Sequence, residues 1–276
     1  MRIFITGIHG FLGRAMAEHF RARGHEVRGS GRSGAVVLRL GEPFNSAVFE
    51  GSDVVIHAAH DFTPGARETN LHGTQAWFEA AAGARQVLLS SYSARPDATS
   101  EYGATKYALE KMFLEAGQAV VRPGLVIGEG GLFAKQRAAL RRTPIVPLVG
   151  GGKSPVAVVS VRHFVEAMTV LVEKGRGGAF NLFYEPMPSA REFVRAVKGG
   201  RGWVLPVPLG LALGAARLVE ALRLPLPVNS GQVRALAENA SSPWRSDLAE
   251  LLPGREKEFS LMFALTVGQA SQPARF

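Results

Sequence analysis

Tyr102 and Lys106, in the run Tyr102-Gly103-Ala104-Thr105-Lys106, put a phenol and an amine at i and i+4, on one face of a helix. A free tyrosine has a pKa of roughly 10, too high for a base near neutrality. A neighbouring ammonium favours the phenolate, as does an oxidised nicotinamide, and a fall of ~3 units would take roughly 4 kcal/mol. Upstream, Thr6-Gly7-Ile8-His9-Gly10-Phe11-Leu12-Gly13 joins an apolar run to a helical pattern. Here Gly7 permits a tight exit from a strand, Gly10 lets backbone approach a pyrophosphate, and Gly13 lets helix and sheet pack closely. The helix N-terminus adds free N–H groups and positive dipole. Together the two motifs predict a nicotinamide-dependent oxidoreductase.

Such residues need a parallel sheet to position them, and the first 130 positions alternate strand and helix signals accordingly. Strands are predicted at Arg2 to Thr6, His25 to Gly29, Val36 to Leu40, Asp53 to His57, Gln86 to Ser90 and Ala119 to Arg122, the last stopped by Pro123. Helices are predicted at Phe11 to Arg23, Thr69 to Ala82 and Glu101 to Ala116. Beyond about residue 130 the pattern loosens around Pro144, Pro147, Gly150-Gly151-Gly152 and Pro155. Strands at Val156 to Val159 and Ala179 to Phe183 flank a helix at Val161 to Glu173, and Leu209 to Leu222 reads as an apolar-faced helix, a core or lid element with a membrane-surface role as the alternative. The expected class is α/β, a Rossmann-like doubly wound parallel sheet with a smaller, mostly helical C-terminal substrate lobe. Residues 1–130 form the dinucleotide-binding domain and 131–276 the lobe, with about 156–183 returning to the main domain.

Composition narrows the classes. Hydrophobic residues at 46% and charged ones at 20% describe a globular chain, and the sequence holds no cysteine, so disulfides and thiolate metal sites are excluded and a cytoplasmic location fits. The start is a strand and glycine turn rather than a signal core, and no run is long and apolar enough to span a membrane. The net charge is +9, but the basic residues are scattered along the chain, so an anionic cofactor or substrate explains them better than nucleic acid. Histidines 57, 60, 72 and 163 lack metal-site spacing, and no metal is expected; His163 is read as capping or packing its helix.

The glycine spacing resembles the short-chain dehydrogenase/reductase superfamily, specifically its extended, epimerase/dehydratase-like branch. The resemblance continues in Asp53-Val-Val-Ile-His-Ala-Ala59, Asn70-Leu-His-Gly-Thr74, Leu88-Leu-Ser-Ser91, Tyr102-x-x-x-Lys106 and Arg122-Pro-Gly-Leu-Val-Ile-Gly128. Weaker echoes follow at Val159 to Ala167 and Phe180 to Leu182. It implies that Tyr102 exchanges a proton with the substrate oxygen while Lys106 holds the ribose hydroxyls. It also implies a hydroxyl at the preceding strand end that binds the same oxygen: Ser91 by choice, with Ser90 and Ser93 as near alternatives that strand parity must separate. Thr6, Gly7, His9, Gly10, Phe11, Leu12 and Gly13 fall at the pyrophosphate turn, Ala58, Ala59 and His60 along the cofactor trough, and Pro123, Gly124 and Leu125 over the nicotinamide. His60 is read either as close to cofactor or substrate or as a structural loop residue.

The segment Val27 to Ser33 has no acid for a ribose 2′-hydroxyl, whereas Ser30, Arg32 and Ser33 could hold a 2′-phosphate, so NADP is expected and NAD is the alternative. Arg39-Leu40 stands where the family often has Asp-Leu, which leaves Leu40 at the adenine and puts the aspartate contact in doubt. Arg122 to Gly128 lacks the asparagine of nucleotide-sugar epimerases, and Tyr92 and Ser93 replace the dehydratase acids. The expected substrate is therefore a small carbonyl or carbinol compound that is not nucleotide-linked. A nucleotide-sugar epimerase or dehydratase is the alternative, and a non-catalytic NADP-binding sensor the second. A homodimer through the Tyr102 helix is possible for such a chain.

Overall fold

The computed structural model describes residues 1–34, 36–200, 203–214 and 244–270. Strands β1 (Arg2–Thr6), β2 (Glu26–Ser30), β3 (Val54–His57), β4 (Arg85–Leu89), β5 (Ala119–Pro123) and β9 (Gly178–Leu182) form one sheet in the order β2-β1-β3-β4-β5-β9. Every pairing in it is parallel. Such a sheet must be covered on both faces, and the strand residues show this by alternation. Ile3, Ile5, Val54, Ile56, Val87 and Leu89 belong to one apolar cluster, with Met16 and Phe20 of α1 (Phe11–Ala22) and Phe164 and Met168 of α5 (Val161–Lys174). The intervening Phe4 and Val55 meet Trp77 of α2 (Arg67–Ala80), and Leu88 and Val120 meet Phe113 of α3 (Glu101–Glu115). The result is a doubly wound Rossmann-like sheet whose order reverses between β1 and β3, the crevice where such folds take ligands.

The remaining strands form two short parallel pairs: β6 (Leu125–Ile127) with β8 (Val158–Ser160), and β7 (Ile145–Val149) with β10 (Trp203–Val207). Around them lie α4 (Gly131–Arg142), α6 (Ala190–Val197), α7 (Leu248–Leu251) and α8 (Leu261–Ala270). Among the described residues no helix is long and apolar enough to cross a membrane.

Two sequence expectations need correction. Val36 to Leu40 is not a strand. β2 ends at Ser30 and offers the edge only Gly31, so a single bridge to Val37 forms, although Leu38 still turns into the core. Pro123 does not stop pairing: it is the last residue of β5, opposite Leu182, because proline lacks only the N–H and its carbonyl accepts from Tyr92 N at 3.0 Å. The element boundaries expected elsewhere in the first 130 residues fall within two positions of those observed. Residues 215–222 of the expected apolar helix lie outside the described residues.

Buried His57 gives the sheet a pH dependence. Its Nε2 bonds Gln86 Oε1 at 2.8 Å, and Gln86 Nε2 donates to the Phe78 carbonyl, which fixes the amide and makes His57 Nε2 the donor. Burial, the main cause, lowers the imidazole from 6.5 to about 4, so the unfolded chain binds the extra proton in that window. Stability present above the unfolded value is lost as pH falls from about 6.5 to 4, by about 3 kcal/mol at the limit for this one group. In urea titrations across that range His57→Leu is expected to be less stable at neutral pH, since Gln86 loses its partner, but to lose less on acidification. An unchanged acid slope would contradict this.

Candidate active site

The crevice is built from strand ends. After β1, Thr6 Oγ1 accepts hydrogen bonds from Ala58 N (3.1 Å) and Ala59 N (3.2 Å), which ties the first turn to the end of β3. Gly7 has φ +72°, and a Cβ there would lie 3.1 Å from Ala59 backbone, while a Cβ on Gly13 would collide with the Gly7 carbonyl oxygen. Both glycines therefore allow backbone to approach backbone. Gly10 differs: its Cβ would meet only Gly7 O, at 3.2 Å, and otherwise points into open space. Gly10 also caps α1 without a side-chain bond, and the first turn carries no acid. A dinucleotide pyrophosphate fits this turn, with uncapped N–H groups and a glycine cradle facing it.

Other expected residues line the same edge. The His9 ring is exposed and lies against Gly31 and Gly34 of the loop after β2. Arg32 and Ser33 of that loop are exposed, but the Ser30 hydroxyl is buried without a partner, so Ser30 faces the interior rather than a solvent-side anion pocket. The charge of Arg32 nonetheless reaches across: the Asp61 carboxyl is held below its usual range first by Thr63 and also by Arg32. Arg39 is paired with Glu42 at 3.6 Å. Leu40 packs on Gly73 of α2, and Leu12 joins the core. The Phe11 ring fills the space beside Gly128, Gly130 and Gly131, which leaves only its backbone N–H for a ligand. Pro123, Gly124 and Leu125 are pinned by bonds from Gly124 N to Leu182 O and from Leu125 N to Ala157 O.

Strand parity separates the serines. Ser90 Oγ donates to Glu110 Oε1 at 2.5 Å inside the protein, while the Ser91 side chain is near enough to Tyr102 to draw its pKa down. Ser93 Oγ lies 2.9 Å from Ser91 Oγ and belongs to the same group. Lys106, one turn along α3, is buried and donates to the Leu89 carbonyl at 2.8 Å. Burial lowers its pKa from 10.5 to about 8, against an opposing pull from Glu110. The expected fall in the Tyr102 pKa is absent in the free protein: burial raises it, and the neighbouring Ser91 only partly offsets this. Lys106 gives one of its donors to Leu89 O, and burial keeps the phenol of the free protein a neutral acid.

His60 and Phe62 complete the surroundings. The His60 ring stands edge-on to Tyr102 with centroids 4.9 Å apart, and Phe62 stacks on Tyr102 at 5.6 Å. Burial, then the Lys106 charge, lowers His60 to about 3, so it is neutral across the physiological range. Asn70 bonds both the N–H and the carbonyl of Asp61 and thereby holds the turn that carries these rings. A small cavity of about 160 Å³ opens here, lined by His60, Phe62, Pro64, Asn70, Tyr102 and Thr105. Among the described residues no three His, Cys, Asp or Glu side chains gather as a metal site.

A profile described as "NAD dependent epimerase/dehydratase family" matches residues 3–182. The chain belongs to this family. Its relatives include "4-hydroxy-2-methyl-3-oxo-4-farnesyl-3,4-dihydroquinoline-1-oxide ketoreductase" of Stigmatella aurantiaca, 27% identical and covering 93% of this chain and 87% of the relative. "Ceramide reductase" of Caulobacter vibrioides is 29% identical, covering 92% of this chain and 89% of the relative. Among solved structures, a human epimerase family protein with NADPH aligns at TM-score 0.65 and 16% identity over 98% of this chain and 99% of that one. MoeE5 in complex with UDP-glucose and NAD aligns at TM-score 0.64 and 21% identity over 75% and 85%. At such identities the structures show a common fold.

Within this epimerase/dehydratase-family chain, Glu110 is a residue the sequence reading missed. It sits at i+4 from Lys106 on α3, so the helical period alone could have found it. Besides Ser90, it takes Arg122 Nη2 at 2.7 Å and Nε at 2.9 Å; Arg122 also reaches Asn181, which bonds Asp247. Removing one partner of a buried ion pair leaves the other charge unpaired, so Glu110→Ala is expected to cost roughly 3–5 kcal/mol in urea unfolding. A loss below about 1 kcal/mol would show that the pair contributes little.

Proposed function

We propose that the chain is an NADP-dependent reductase that interconverts a carbonyl and a carbinol on an apolar substrate not linked to a nucleotide. The observation that carries this reading is the grouping of Ser91 and Ser93 just after β4 beside the buried Tyr102 phenol, with Lys106 locked one turn along α3. When bound, the cofactor would supply or accept the hydride. Ser91 and Tyr102 hold the substrate oxygen with two hydroxyls. Tyr102, kept neutral by burial, donates its proton to that oxygen as the carbonyl carbon is reduced and recovers it in the reverse direction. Lys106 has three donors, of which Leu89 takes one; the others suit ribose hydroxyls. Arg32 and Ser33, exposed in the loop after β2 in a segment that has no acid of its own from Val27 to Ser33, suit a 2′-phosphate.

The substrate class follows from what surrounds the phenol. Phe62 is 77% exposed and stacked on Tyr102, an apolar wall at the point where substrate enters. The relatives named for reduction of ceramide and of a farnesyl-bearing quinoline oxide support a long apolar ketone. A nucleotide-sugar epimerase is the second reading, favoured by the likeness to a UDP-glucose complex. The test is calorimetric titration with NADPH, NADP, NADH, NAD and UDP-glucose. Binding of the phosphorylated pair without UDP-glucose is expected; UDP-glucose binding with NAD would replace this reading by the second.

A further inference from the structure

One end of the molecule carries an apolar face that no described element covers. In the β7–β10 ribbon Trp203 pairs with Ile145 and Leu205 with Pro147. Val146, Leu148 and Val204, the alternate residues, turn onto the core. The other side is open: Trp203 is 80% exposed, Leu205 53% and Ile145 52%, and Leu211 just beyond is 68% exposed. A sheet face turned to water is ordinarily polar, and a contiguous apolar patch marks an interaction surface.

Charge indicates the partner. The stretch from Gly131 to Ala157, which includes β7, holds five lysines and arginines and no acid, and of the five Arg137 is paired with Glu129. Arg141 and Arg142 are exposed at the end of α4, immediately before the ribbon. Lys198 reaches the same corner, donating to Leu140 O at 2.8 Å and Thr143 O at 2.6 Å. A tryptophan and aliphatic side chains rimmed by cations match the boundary of an anionic bilayer, with the ring at headgroup depth and the cations against phosphates. A nucleic acid would instead call for cations and stacking rings on the face itself, which here is aliphatic apart from Trp203.

We propose that the β7–β10 ribbon docks this protein on an anionic phospholipid surface. Docking stands on the ribbon alone and does not depend on the catalytic reading. The test is sedimentation of the full chain with vesicles of phosphatidylcholine alone and with phosphatidylglycerol added. Retention is expected only on the anionic vesicles, and it falls as salt is raised. Trp203→Glu combined with Leu205→Glu is expected to weaken retention at least about tenfold, from the apolar area withdrawn from the bilayer. Arg141→Gln with Arg142→Gln is expected to weaken it about fivefold per charge removed. All four positions are exposed, so unchanged circular dichroism and melting temperature control for folding. Wild-type protein left in the supernatant with both vesicle types would overturn the proposal, the result expected if a second copy or residues 215–243 cover the face. Equal retention of wild type and the Trp203→Glu/Leu205→Glu protein would overturn it too.

Discussion

Tyr102→Phe is expected to lower kcat by about 10³-fold while leaving the Kd for NADPH within about twofold, because positioned proton transfer contributes about 10²–10⁴. The substitution removes one oxygen and keeps the ring, so its packing against His60 and Phe62 survives. Ser91 keeps Ser93 as a partner, which limits the structural cost. Stopped assays of alcohol formation, paired with calorimetry of NADPH, separate chemistry from binding. A parallel fall in both would mean that Tyr102 serves mainly to shape the cofactor site. Unchanged turnover would remove it from the mechanism and favour a binding protein over an enzyme.

Arg32→Ala is expected to raise the Kd for NADPH by about 10- to 100-fold and that for NADH by less than about twofold, as befits loss of a hydrogen bond to a charged group. The side chain is exposed in the loop after β2, and its charge is felt by Asp61 across the crevice. Ser30 adds no direct contact in this account, since its hydroxyl is buried, so Ser33 is the remaining hydroxyl of the loop. Small and equal effects on both cofactors in parallel titrations would remove the 2′-phosphate assignment.

The sheet was legible because its signals are local. DVVIH, QVLLS and the run from Ala119 carry near-continuous apolar strands, and glycines mark the turns between them. Val36 to Leu40 misled because an apolar alternation says which side chains turn inward, not whether a neighbouring strand is long enough to pair. The roles of Ser90 and Ser91 could not be read from adjacent identical residues; they separate only once Glu110 claims one hydroxyl. The acidity of the Tyr102 phenol in the free protein was not legible for a different reason. Spacing brought the amine onto the same helix face, but the Leu89 carbonyl, distant in sequence, takes that amine and burial sets the phenol's acidity. Beyond residue 130 the ribbon and the buried partners of Arg122 depend on pairings between distant segments, which no local pattern encodes.

The most direct measurement follows NADPH consumption and alcohol formation on a panel of long-chain apolar ketones, with UDP-glucose and NAD assayed beside them. NADPH-dependent reduction of at least one apolar ketone, lost in Tyr102→Phe, is expected, with no turnover of the nucleotide sugar. Turnover of UDP-glucose with NAD, and none of the ketones with NADPH, would contradict it.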